Sequence, residues 1–332
     1  MRIVTSTMLQ DHHNRQSTYL RLAVTDRCNL RCRYCMPAEG IDFASRAELL
    51  SFEEILFLCE VLAELGVNKV RLTGGEPLSR KGLPTLVRGL GRIFPKMAMT
   101  TNGILLPPVL DELVGYGLDQ YNLSLDTLRP DRFERITRRN DFEGTRMALD
   151  ELLARGLQTK INVVVMNGTN DDELVDFVAL TEDKRLDVRF IEAMPFNDDD
   201  GNHDVYLSHT EIMARIKVRY PTLARSVDEA NSSSVAYRVP GFRGTVGIIP
   251  AYSRSLCGSC NRLRLTPKGT MLNCLYSTNG LELLPLLRSG IGRQDLGDLI
   301  TEFVKGKHKT GHDTQRAEQT GDVFASMTSI GG

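Results

Sequence analysis

Neither sign of charge is in surplus: 41 Lys and Arg stand against 42 Asp and Glu, a formal net charge of −1 over 332 residues. A global basic field of the kind that gathers nucleic acid is excluded, so any anion site has to be built locally. No run of eighteen apolar residues occurs, which excludes a membrane-spanning helix. Met1 to Ser17 is polar and lacks the apolar stretch of a secretory leader. The expected setting is therefore cytoplasmic, with reduced thiols and a flexible segment over residues 1–18. Repeats and low-complexity tracts are also missing, and the length allows one large domain with a smaller one.

What is present is clustered cysteine. Of the seven, six fall in two tight groups and Cys59 stands apart, an odd count that suits metal ligation better than disulfide pairing. The first group, Cys28-Asn-Leu-Arg-Cys32-Arg-Tyr-Cys35, follows a strand-like run from Leu20 to Thr25. Three thiolates on one loop can ligate one metal centre, one short of the four that tetrahedral zinc or a closed iron–sulfur cluster takes. A cubane held by three cysteines leaves one iron open to an outside ligand. Zinc would want a further Cys or His close by, and His12 and His13 lie well upstream. The second group is Cys257-Gly-Ser-Cys260 with Cys274, for which zinc and iron–sulfur both remain open. Cys59, amid Leu58, Val61 and Leu62, reads as a buried structural thiol.

Strand and helix signals alternate from Leu20 onward. Ser51-Phe-Glu-Glu54 reads as a capping box for a helix that runs through Leu65 and stops at Gly66. Strands are expected at Lys69–Thr73, Met97–Thr101, Gln120–Leu125, Thr159–Val165 and Asp187–Ala193. Helices are expected at Leu83–Ile93, Pro107–Tyr116, Phe142–Arg155 and Asp171–Leu180. Six βα-like units predict an α/β fold, an incomplete (β/α)6 TIM-like barrel over residues 19–194, with functional residues where strands end. Pro195 to His203 breaks the rhythm as a solvated acidic loop. A smaller α+β domain over 195–325 carries the second cysteine group. It includes a helix at His209–Arg219, short strands at Ala236–Val239 and Gly244–Ile249, and helices at Leu281–Leu287 and Gln294–Lys305. Residues 326–332 form a tail ending in Gly331-Gly332.

The aromatic residue before the last cysteine of CxxxCxxC is a mark of radical S-adenosylmethionine (SAM) proteins. To it the chain adds Arg21-Leu-Ala-Val-Thr-Asp-Arg-Cys28, Arg71-Leu-Thr-Gly-Gly-Glu-Pro77, Thr100-Thr-Asn-Gly103 and Asn122-Leu-Ser-Leu-Asp126. Further on stand Arg189-Phe-Ile-Glu-Ala-Met194, Cys257-Gly-Ser-Cys-Asn-Arg-Leu-Arg264 and Ile330-Gly-Gly332. From Tyr19 to Gly332 the chain resembles the radical SAM GTP 3′,8-cyclase (MoaA) family of molybdenum-cofactor biosynthesis. CxxxCxxC alone names a superfamily; the CxxCNRLR stretch, the distant third cysteine and the Gly-Gly end narrow it. Ser232 to Ser234 and Ala325 depart from the family pattern, which bears on local loop shape.

The resemblance implies two [4Fe–4S] clusters, one on Cys28, Cys32 and Cys35, the other on Cys257, Cys260 and Cys274. It implies SAM as cofactor, contacted by Tyr34, Gly75 beside Gly74, Ser124 and Met194. It implies GTP as substrate, held by Arg21, Arg71, Thr100, Lys160, Arg262, Leu263 and Arg264. The five basic residues sit in or beside otherwise apolar strands, and alternation puts them on an inner face where arginine's planar fork suits phosphate. Lys69 and Lys217 read as surface. Catalytic importance would fall on Arg21, Arg262, Arg264, Gly331 and Gly332. A 5′-deoxyadenosyl radical would take hydrogen from ribose C3′, and C3′ would join guanine C8. Further expectations are a downstream cyclic pyranopterin monophosphate synthase, a reductant of flavodoxin or ferredoxin type, and a homodimer, with no nucleic acid or membrane. Two rivals are a peptide-modifying radical SAM enzyme with an auxiliary cluster and a zinc- and nucleotide-binding module.

Overall fold

The period-two pattern of the strands sets the architecture. A computed structural model describes residues 8–194, 205–228, 230–253, 256–318 and 327–330. Strands β1 (Tyr19–Ala23), β2 (Lys69–Thr73), β3 (Lys96–Thr101), β4 (Leu118–Ser124), β5 (Gln158–Val165) and β6 (Leu186–Glu192) pair in parallel, in chain order. One alternate set of their side chains is apolar and fully buried, as at Leu20, Leu72, Tyr121, Ile161, Val188 and Phe190. The other set is polar and faces a cavity, as at Arg21, Arg71, Asn122, Lys160 and Arg189. Helices α1 (Phe52–Glu64), α2 (Leu83–Leu90), α3 (Leu110–Gly115), α4 (Pro130–Thr137), α5 (Phe142–Ala154) and α6 (Leu174–Ala179) lie between successive strands in the chain. They give the apolar face its cover. The capping box at α1 is present: Ser51 Oγ accepts from the Glu54 amide at 3.1 Å and the Glu54 carboxylate accepts from the Ser51 amide at 2.7 Å.

Six βα units are therefore found, but the sheet continues past them. After α7 (His209–Arg219) and β7 (Ala224–Arg225), β8 (Val235–Arg238) runs antiparallel to β9 (Thr245–Ile249), and β9 pairs in parallel with β6. At the other edge β10 (Arg262–Leu265) pairs in parallel with β1, followed by antiparallel β11 (Thr270–Leu272) and β12 (Leu281–Glu282). The order of the twelve strands is β12-β11-β10-β1-β2-β3-β4-β5-β6-β9-β8-β7. Eight parallel strands thus form an open barrel, and among the described residues its two ends do not pair. The C-terminal α+β part adds its strands to the edges of β1 and β6, which would otherwise present unpaired backbone groups. Helices α8 (Leu284–Arg288), α9 (Arg293–Lys305) and α10 (Gly311–Glu318) complete the chain.

Several local expectations are corrected. The stretch 281–287 begins as β12 and turns helical only at Leu284, behind Pro285. Asp171 to Glu173 form a single tight turn ahead of α6. The flexible segment expected over 1–18 is packed in residues 8–18: Leu9 is buried, its amide donates to Leu65 O at 3.2 Å, and its carbonyl accepts from Ser17 at 2.8 Å. The polar residues there satisfy one another, since Asp11 accepts from the Arg15 side chain and from the His13 and Arg15 amides. The acidic loop at 195–203, Ala325, Gly331 and Gly332 lie outside the described residues. Cys59 is buried on α1, as expected.

Phe190 packs edge-to-face on Phe177 of α6, with centroids 6.3 Å apart and planes at 87°. Phe190→Ala is expected to cost about 3–5 kcal/mol in chemical denaturation; a loss under about 1 kcal/mol would contradict this core assignment.

Candidate active site

The polar faces of the parallel strands enclose one cavity of about 820 Å³, a volume suited to small-molecule ligands. Strand register gives its polarity. Cys28, Cys32 and Cys35 follow the end of β1, whereas Cys257 and Cys260 precede the start of β10, whose Arg262 lies opposite Tyr19 at the start of β1. Cys274 follows β11, which runs back the other way. The two trios therefore sit at opposite ends of the barrel, a strand's length apart, roughly 16 Å for five residues. Functional residues were expected at the ends where strands finish; the second trio lies where they start.

At the upper end the cysteine loop is clamped from several elements. Arg138 Nη1 donates to Arg31 O and Met36 O, both at 3.0 Å. Asn102 Nδ2 donates to Asn29 Oδ1 at 2.8 Å, and the Leu30 amide donates to Cys28 Sγ at 3.4 Å. Tyr34 donates its hydroxyl to Asp126 at 2.8 Å. A Cβ at Gly74, where φ is +136°, would lie 2.3 Å from Thr25 O, and one at Gly75 2.3 Å from Arg27 O. Contact with the cysteine loop's backbone thus explains both glycines. Glu76, buried beneath them, accepts from Thr101 Oγ1 and the Asn102 amide, each at 2.8 Å. Burial pushes the Cys28 thiol up to about 11 and Cys32 well above the ordinary thiol range, so their thiolates call for a bound cation. Both trios are free of disulfides and line the cavity. Among the described residues no three Cys, His, Asp or Glu side chains meet as a single-ion site.

At the lower end burial raises the Cys257 thiol. Cys260 is buried too, yet Arg262 and Lys307 outweigh that and hold its thiol near 6. A trio with one thiol already disposed to ionise, between two cations, fits a cationic cluster. Nearby, Asn261 Oδ1 and Asn273 Oδ1 are buried without a hydrogen-bond partner, as are Thr100 Oγ1 and Asn162 Oδ1 further along the wall. All four residues line the cavity, so their orphaned atoms await a polar ligand.

Between the trios lies a cationic wall. Arg21 stands opposite Arg71 on one side and Arg264 on the other. Burial, then Arg264, holds the Arg21 guanidinium well below its ordinary range; burial and Arg262 bring Arg264 to about 10. Burial alone would raise Tyr19, but Arg71 and Arg21 outweigh it and bring the phenol to about 8. Arg71 donates to Tyr19 Oη at 2.5 Å and to Met99 O at 3.2 Å. Lys160 is buried 3.4 Å from Asp187. Ser124, Gly75 and Met194 also line the cavity, with Met194 Sδ 3.9 Å from Tyr276 Oη.

Two readings of the sequence are corrected here. Leu263 is fully buried in the apolar core on the far side of β10, so its side chain does not reach the cavity. Lys69 is not surface: it lines the cavity, its ammonium 5.3 Å from the Tyr19 ring centroid. The alternation Lys69-Val-Arg71 carried that signal, as did Asn122, Asn162 and Arg189 on their strands. Arg15, Lys307 and Glu192 were missed as well. Glu192 ties β6 to two other segments, accepting from the Ser253 amide and from the His209 amide and ring, all at 2.8 Å.

Comparison with known proteins matches the radical SAM superfamily over residues 22–181 and the molybdenum cofactor synthesis C-terminal domain over 186–313. The GTP 3′,8-cyclase of Moorella thermoacetica is 40% identical over 327 residues, covering 98% of this chain and 100% of that protein. The chain belongs to the GTP 3′,8-cyclase family of radical SAM proteins. An iron–sulfur cluster and SAM go with that superfamily. Molybdenum cofactor biosynthesis protein 1 of Dictyostelium discoideum is 42% identical over 311 residues, 92% of this chain and 49% of that protein. The chain thus spans about half the length of the first curated relatives of this cyclase family. In fold it resembles Streptococcus suis SuiB bound to S-adenosylmethionine, with TM-score 0.59 and 14% identity over 89% of this chain and 68% of that one. Among the described residues no helix is long and apolar enough to cross a membrane.

Glu76 supplies a pH test. Burial, only partly offset by its hydrogen bonds, raises its carboxyl to about 7, against 4.5 unfolded. The folded chain retains the proton that the unfolded chain releases, so stability falls as pH rises from about 4.5 to about 7, by roughly 3 kcal/mol. Glu76→Gln is expected to flatten this part of the thermal-midpoint profile; an unchanged slope would assign the titration elsewhere.

Proposed function

We propose that the chain is a radical SAM GTP 3′,8-cyclase that converts GTP to (8S)-3′,8-cyclo-7,8-dihydroguanosine 5′-triphosphate, opening molybdenum-cofactor biosynthesis. The observation that carries this reading is the wall of buried cations lying between two cysteine trios at opposite ends of one cavity. Cys28, Cys32 and Cys35 would hold one [4Fe–4S] cluster, and Cys257, Cys260 and Cys274 a second. With SAM bound, these groups supply the electron and the carbon-centred radical that hydrogen abstraction from ribose C3′ requires.

The chain's own residues bind and orient. Arg21, Arg71, Arg264 and Lys160 gather the triphosphate, whose charge relieves the repulsion among them. Thr100 offers its unpartnered hydroxyl to a substrate oxygen, and Arg262 stands between the phosphate wall and Cys260. Asn261 and Asn273 present orphan carbonyl acceptors beside the lower trio, matching the N–H donors of a guanine edge. At the other end Gly75, Ser124 and Met194 border the SAM site. Tyr34 offers its ring and backbone there, because its hydroxyl is engaged by Asp126. Contacts at both ends of the cavity limit which hydrogen the reactive carbon can meet, so positioning decides which bond forms.

Gly331 and Gly332 belong to the same proposal as a tail entering the cavity. Its support is that Met327 and Thr328 already line the wall. A cytoplasmic setting, a homodimer, a flavodoxin- or ferredoxin-type reductant and consumption of the product by a cyclic pyranopterin monophosphate synthase complete it.

The test is an anaerobic assay of the reconstituted chain with GTP, SAM and a chemical reductant. The expected result is the cyclised nucleotide, 5′-deoxyadenosine formed in step with it, and about eight irons per chain. Stoichiometric zinc without iron, or 5′-deoxyadenosine without any cyclised product, would overturn the reading. A second measurement concerns the tail: removing Gly331 and Gly332 is expected to abolish cyclisation with iron content unchanged. Full activity of the shortened chain would remove the tail from the mechanism.

A further inference from the structure

Arg15 lies 242 residues from Cys257 of the lower trio in sequence, and nothing in the cation wall requires it. It is nonetheless a buried residue whose guanidinium has all five N–H groups engaged. Nε donates to Asp11 Oδ2 at 2.6 Å, and the Asp11 side chain is fully buried. Nη1 donates to Cys257 O at 3.0 Å and to Lys309 O at 2.8 Å. Nη2 donates to His308 O at 2.6 Å and to Lys307 O at 3.5 Å. One planar group therefore joins the first cysteine of the lower trio to three successive carbonyls of the segment ahead of α10.

That segment also reaches the rest of the trio. Gly311, two residues past Lys309, opens α10. Lys307 is buried, and its ammonium donates to Arg262 O at 2.7 Å and Cys260 O at 3.3 Å. His308, Lys309, Thr310 and Gly311 all border the cavity.

We infer that Arg15 is a positioning residue for the lower iron–sulfur site, tying residues 307–309 to Cys257 so that the Lys307 ammonium is held against the Cys260 backbone. The inference rests on the two-cluster reading given above. A buried cation held beside a ligating cysteine favours the reduced cluster, which raises its reduction potential. Lysine does not replace the guanidinium, because three donors on a point charge do not span a carboxylate and four carbonyls.

The experiment uses the reconstituted full-length chain and its Arg15→Gln and Asp11→Asn variants. Iron is counted, each cluster's midpoint potential is read by electron paramagnetic resonance during redox titration, and 5′-deoxyadenosine formation without GTP reports the upper cluster. In Arg15→Gln iron is expected to fall from about eight toward about four per chain, with any retained lower cluster at a more negative potential. The upper cluster and its SAM cleavage remain. Asp11→Asn, which keeps the guanidinium but removes its buried counter-charge, is expected to show the same change to a smaller degree. Full iron with unshifted potentials in Arg15→Gln would overturn the inference. So would equal loss of both clusters in both variants, which is what a purely structural role gives. A wild-type chain with about four irons would instead defeat the two-cluster reading, and that outcome is visible before any variant is made.

Discussion

Like charges held together out of water are the constraint on which this molecule turns. Arg21, Arg71 and Arg264 occupy one rung across three adjacent strands, with Arg262 and Lys69 flanking Tyr19 one step below. Burial, and after it their mutual field, weakens the proton affinity of Arg21 and Arg264, and that field outweighs burial to draw down the Tyr19 phenol. Such an array is destabilising in the absence of an anion, and only a rigid surround keeps it converged. The parallel sheet provides that surround. Each cation projects from a strand whose neighbouring residues are locked in the apolar layer beneath the helices.

The same constraint accounts for the extension of the barrel at both edges. An interior hollowed into a cavity, with charged residues beside Val164, Ile191 and Ile249, holds no packed layers like those inside an ordinary TIM barrel. Burial comes mainly from the outer face. The C-terminal part enlarges that face, adding Leu263 and Leu265 through β10 and Val246 and Ile248 through β9, all buried. The added strands carry function on their other side, since Arg262 and Arg264 reach the cavity only because β10 pairs with β1. One pairing supplies both core and site.

Local patterns in the sequence were enough for the six βα units, the capping box at Ser51 and both cysteine trios. They also indicated that alternating arginines turn inward. What they left obscure is non-local. The parallel pairing of Arg262–Leu265 with the first strand has no signature in either segment, so the C-terminal strands read as a separate domain. Helix α4 was overlooked because Pro130 opens it and it is only eight residues long. Arg15 was passed over for a related reason: it sits in a polar stretch without periodicity, and only its five distant or buried acceptors show what it does. Leu263 illustrates the opposite error. It was grouped with its arginine neighbours by motif, although the period-two rule that points Arg262 and Arg264 inward turns Leu263 away.

Placing the two trios at opposite ends makes the cavity's length, rather than any single side chain, the variable that sets reactivity. In an open barrel with all its ligands at the upper face, small loop changes can re-aim a substrate. Here a ligand anchored at both ends has its middle fixed by the strand rise, which mutations in loops do not alter. The clamps at each end act on register in the same way. Asn102 and Arg138 fix the upper loop against β3 and α4, while Arg15 and Lys307 fix the lower loop against the segment that precedes α10. Lys307 also donates to the Arg262 carbonyl at 2.7 Å, so the lower clamp shares β10 with the cation wall. A substitution at Asn102 or Arg138 in the upper clamp should therefore shift where the ligand's upper end sits more than how strongly its charge is held. Under the proposed reaction, such a geometry loses the coupling between hydrogen abstraction and ring closure before it loses binding.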